Sequence, residues 1–173
     1  RALGEDRAAF LVIDTPMATS YVTRADLNAW AIPEEQLWEA ALCNLRDRTT
    51  DKWTAIAPNL VAKAWADYYD CSRLLLPDIF YRLEFSGRPV ALVPSRGDIL
   101  VTSDHAPEMQ LQMLHLATSR LDETPRWCAP SLLVLDEGAW KSYMPESPEV
   151  RHAHAKLRIR MMAEDYAEKS ASW

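Results

Sequence analysis

The chain has 173 residues, 49% of them hydrophobic and 25% charged, and carries a net charge of −6. That balance fits one compact globular domain and excludes disorder, collagen-like repetition and a general field for nucleic acid or anionic membrane. Three cysteines, at 43, 71 and 128, follow no CxxC spacing, which argues against a disulfide framework or a four-cysteine zinc site and fits a reducing cytosol.

Phe10-Leu-Val-Ile-Asp14 is apolar and β-rich and stops at Thr15-Pro16, which predicts a short buried strand inside a sheet. Thr23 is placed to cap a first helix, and Pro33-Glu34-Glu35 opens a second that runs to about Arg48. Leu37, Trp38, Ala41, Leu42 and Leu45 give that second helix one apolar face. Residues 53–70 fit either a strand pair or a short helix. From Ser72, the spacing of Leu75, Ile79 and Leu83 predicts about three helical turns ending before Gly87, with Pro77 in the first turn.

Pro89-Val-Ala-Leu-Val-Pro94 and Asp98-Ile-Leu-Val-Thr102 flank a short glycine-containing connection, the signature of a β-hairpin. Pro107 to about Leu121 reads as a long helix, Ser131–Asp136 as a strand, and Glu149 to about Lys169 as a closing helix. Interspersed helices and strands with hairpin connections predict a single α+β domain, a small, mainly antiparallel sheet covered by helices. No run approaches the roughly 18 apolar residues of a membrane-spanning helix, and no signal-peptide pattern opens the chain. The start at Arg1 rather than Met leads us to expect the remainder of a longer chain.

Candidate chemistry is sparse. Arg96 and Asp98 on the hairpin turn could present a fork to a phosphate or carboxylate, although turn chemistry alone accounts for the same residues. His105, beside Asp104, could serve as a base for Ser72 or Cys71, but no nucleophile-elbow signature surrounds them, and Asp104 reads more simply as a helix cap. His152 and His154 are two apart, a spacing that points imidazoles away from one another on a helix, so no metal site is expected. No Walker loop or GxGxxG is present, and with four glycines no nucleotide or other cofactor is expected.

Two features point toward partners instead. Arg151, Lys156, Arg158 and Arg160 form a basic run on the closing helix, which would suit an acidic partner or nucleic acid only if the cations align on one exposed face. The chain also holds seven tryptophans. Trp30, Trp38 and Trp65 read as packing residues, whereas Trp127, Trp140 and Trp173 have polar or turn neighbours and read as a partner surface. The leading expectation is a non-enzymatic module that binds another protein. The alternative is a hydrolase or small-ligand enzyme with a pocket around Ser72, Arg73, Asp98 and His105.

Tyr69-Asp-Cys-Ser-Arg-Leu-Leu-Leu-Pro77, followed by Gly87-Arg-Pro-Val-Ala-Leu-Val-Pro-Ser-Arg-Gly-Asp-Ile-Leu-Val-Thr102, resembles the YtpQ-like family of bacterial proteins of unknown function. Gly97 lengthens the turn relative to that family's Pro-x-x-Asp pattern. The resemblance implies a soluble bacterial α+β protein and brings no reaction with it. Physically, Arg73 is expected to act as a buried polar lock, pairing with Asp98 to fix its helix on the hairpin.

Overall fold

The computed structural model describes residues 1–3, 7–65, 67, 69–95, 97–121 and 128–171, with side chains up to residue 163. In chain order it runs β1 (Val12–Asp14), β2 (Thr19–Tyr21), α1 (Arg24–Trp30), α2 (Glu34–Asp47), β3 (Trp53–Ala57) and β4 (Leu60–Lys63). A 3-10 turn (Cys71–Leu75) and α3 (Asp78–Tyr81) follow, then β5 (Pro89–Ser95), β6 (Asp98–Ser103), α4 (Pro107–Arg120), β7 (Leu133–Asp136), β8 (Ala139–Ser142) and α5 (Pro148–Ala171). The architecture is α+β: β3-β4-β6-β5-β7-β8 form one antiparallel sheet, and β1-β2 form a separate hairpin.

Strand alternation divides the core into two layers. Val90, Leu92, Leu100 and Val134 face α4 and α5, meeting Met113, Leu114, Val150, Leu157 and Met161. Ala91, Val93, Ile99, Val101, Leu133 and Leu135 face the opposite way, toward Leu45 of α2, the 3-10 turn and α3. Every residue of β5 is buried, as a central strand covered on both faces requires.

Local chemistry sets several boundaries where the sequence places them. Thr23 and Asp26 close a capping box on α1, and Glu34 and Glu35 occupy the electropositive first turn of α2. The open stretch resolves as the β3–β4 pair, turned by Asn59 at φ 60°, a left-handed conformation asparagine tolerates. Pro77 interrupts the expected three-turn helix: it supplies no N–H and keeps Leu76 out of the helical region, so a 3-10 turn and a four-residue helix result.

The expected buried strand at 10–14 is the largest departure. β1 pairs only with β2, and all three of its residues are exposed. Trp30, read from sequence as packing, is also exposed, whereas Trp38 and Trp65 are buried. Among the described residues no helix is long and apolar enough to cross a membrane.

Candidate functional site

The residues proposed for a catalytic pocket do not converge. Asp98 opens β6 on the parity of Leu100, so its side chain lies on the α4 side, where its carboxylate accepts from Arg120 at 2.7 Å. Arg73 lies beyond the other face of the sheet, in the turn whose Leu74 packs into the second core layer. His105 follows the far end of β6, roughly 17 Å from Asp98 at about 3.3 Å per residue. Ser72 is half-buried in the 3-10 turn. Arg96 lies outside the described residues.

Arg73 is a lock with a different partner. Its guanidinium is fully buried and forks onto Asp67, Nη1 to Oδ1 at 2.9 Å and Nη2 to Oδ2 at 2.7 Å. Nε donates to Thr49 Oγ1 at 3.0 Å, Nη2 donates to the Arg48 carbonyl at 3.1 Å, and the cation sits 4.3 Å from the Trp65 ring centre. One side chain therefore ties the end of α2 to the loop after β4. The Arg73 hydrogen bonds hold the Asp67 carboxyl below its ordinary pKa.

Asp70, next to this lock, has the opposite shift: burial raises its pKa, and Lys63 Nζ, 3.4 Å away, offsets this only in part. A carboxyl raised by folding lowers stability at neutral pH, and the penalty lifts as pH falls through the raised value. Asp70→Asn is accordingly expected to be at least as stable as the parent at pH 7. Its advantage should shrink on acidification, as read from urea midpoints across pH 4–7.

His105 and Asp104 border a polar recess of about 420 Å³ with Arg88, Asp136, Lys141 and Tyr143. Asp104 does not cap α4, whose first turn follows Ala106; its carboxylate accepts from the Arg88 backbone N–H at 2.7 Å and from Arg88 Nε at 2.8 Å. Arg88 also lies 3.5 Å from Asp136, and Lys141 lies 2.6 Å from Asp136 and 3.7 Å from Glu137. Those ion pairs hold the Asp136 carboxyl below its ordinary pKa and the Lys141 ammonium above its own. An anionic ligand would have to displace these pairs, so the recess is electrostatically satisfied without one.

Gly87 allows the close approach beneath the recess. At φ +98°, an added Cβ would overlap Asp104 Oδ1 and stand 2.8 Å from His105 Cγ. Gly87→Ala is expected to cost about 1–3 kcal/mol in a denaturant titration, through backbone strain and the displaced Asp104.

The partner-surface residues are redistributed. Trp140 is not on the surface: it is 7% exposed, donates from its indole nitrogen to the Leu74 carbonyl at 2.7 Å and stacks edge-on against Phe80. It lies on β8, which the sequence reading missed; the signal was Glu137-Gly138, both at positive φ in the turn between β7 and β8. Trp127 and Trp173 lie outside the described residues. At about 100° per residue, Arg151 and Arg158 share one side of α5 while Lys156 and Arg160 lie roughly opposite, so the basic run forms no single stripe. His154 is buried, with Nε2 2.8 Å from the Pro130 carbonyl oxygen, and burial lowers its pKa. Among the described residues no cluster of three or more His, Cys, Asp or Glu is placed to hold a metal ion.

The exposed apolar surface lies elsewhere. Of eleven large hydrophobic side chains exposed among the described residues, seven fall between Phe10 and Ile32: Phe10, Val12, Ile13, Met17, Tyr21, Trp30 and Ile32. Val12 stands opposite Tyr21 in the hairpin register, and Phe10 packs edge-on against Tyr21 at 5.9 Å. Met17, at the turn, is 93% exposed. The hairpin is tethered where the Tyr69 hydroxyl donates to Asp14, a bond that lowers the Asp14 pKa, and Arg48 sits 5.9 Å from the Tyr69 ring centre.

Compared with family models, with curated proteins and with solved structures, the chain has no match in any of the three.

Proposed function

We propose that the chain is a bacterial, cytosolic protein-binding module whose docking surface is the apolar outside of the β1–β2 hairpin and α1. The observation that carries this reading is the concentration of exposed apolar side chains between Phe10 and Ile32, five on or beside the two-stranded hairpin and two at the end of α1. Such a hairpin is marginal alone in water, and an apolar patch on a folded surface marks an interaction site. The same stretch carries only Asp14, Arg24 and Asp26 as charges, which suits a protein surface better than a phosphate backbone or an anionic lipid. The YtpQ-like resemblance belongs to this proposal and adds no reaction.

The test is capture from native lysate by the immobilised chain and by a Phe10→Ser, Tyr21→Ser, Trp30→Ser variant, with circular dichroism to check folding. Aromatic anchors at an interface centre are each worth about 2 kcal/mol or more, so a protein held by the parent should be lost from the triple variant. An identical retained set from both would overturn the proposal.

A further inference from the structure

A second surface carries its own complement. α4 and α5 leave between them a groove of about 510 Å³, mostly apolar, lined by Leu111, Leu114 and Thr118 of one helix and His152, Ala153 and Lys156 of the other. Val150, His154, Leu157 and Met161 commit one side of α5 to the core. On another side, residues 149, 152, 156, 159 and 163 recur at intervals of three and four, the spacing of a helix–helix seam. These are Glu149, His152, Lys156, Ile159 and Ala163, all exposed, with Ile159 at 68% and the neighbouring Met162 at 64%.

We propose that two copies of this chain associate through this face, with the two α5 helices antiparallel about a two-fold axis between His152 and Ala153. The charges fix the orientation. Glu149 and Lys156 are equidistant from that axis, so each meets its opposite on the second copy, whereas a parallel pairing would set Glu149 against Glu149 and Lys156 against Lys156. Seven residues, about 10.5 Å of helix rise, keep the two from pairing within one chain. Self-complementarity of one patch is what a closed two-fold dimer requires, which favours a second copy over a different protein. In the same register Ile159 and Met162 reach past the start of the second copy's helix, onto the segment that contains its exposed Met144.

Light scattering across a concentration series tests this on the full chain. The parent should dimerise, and Glu149→Lys and Lys156→Glu should each weaken the dimer at least about tenfold, since each reversal sets two like-charge contacts per dimer. The double reversal should restore it, and the hairpin triple variant should leave it unchanged, which separates this surface from the proposed docking site. A chain monomeric at every concentration overturns the proposal. So does a dimer that ignores the single reversals, one that the double reversal fails to restore, or one that the hairpin variant abolishes.

Discussion

Replacing Arg73 by methionine is expected to lower the unfolding free energy by about 3–5 kcal/mol, measured by urea denaturation at pH 7. The side chain is fully buried, and its removal leaves Asp67, only 25% exposed, with backbone donors only, and the Thr49 hydroxyl and the Arg48 carbonyl without the guanidinium that donates to them. Methionine keeps much of the volume, so the loss reports the uncompensated polar groups more than a cavity. Exchanging Arg73 with Asp98 should rescue nothing, because the two lie on opposite faces of the sheet. The loss from Asp98→Asn should stay within about 1 kcal/mol, since its partner Arg120 is partly exposed. The pH dependence has a definite sign: a carboxyl whose folded pKa lies below its ordinary value of 3.8 stabilises fully above that value and loses the contribution as pH falls through the folded one. The gap between parent and Arg73→Met should therefore narrow below pH 3.8.

Trp140→Ala is expected to cost about 3–5 kcal/mol, because it opens a cavity beside Phe80 and strands the Leu74 carbonyl. Phe10→Ser, with a side chain 68% exposed, should change stability by no more than about 0.5 kcal/mol. Parallel denaturation curves for the two variants separate core aromatics from surface ones. If Trp140→Ala unfolded like Phe10→Ser, the burial of Trp140 against Phe80 would be contradicted.

Legibility from sequence followed the range of the interactions. The capping box at Thr23, the start of α2 after Pro33 and the β5–β6 hairpin are set by residues within a few positions of one another, and all three are where the sequence puts them. Residues 10–14 misled because an apolar, β-rich run records a preference for strand and says nothing about what covers it. Trp140 misled because its immediate neighbours Ala139 and Lys141 are exposed, as alternation on an edge strand dictates. That Arg73 locks the fold was readable from its position at a helix start. Its partner was not, because the choice between Asp67 and Asp98 depends on which face of the sheet the 3-10 turn covers. The apolar outside of the hairpin was unreadable for a related reason: exposure belongs to the packed molecule, and nothing local to Trp30 says that α1 buries none of its residues.

The docking surface is tested most directly by hydrogen–deuterium exchange of the chain with and without the protein it captures. Backbone amides of residues 10–32 should gain protection in the complex, while the polar recess around Arg88 and Lys141 exchanges as before. Unchanged exchange across 10–32, with new protection confined to that recess, would contradict the account.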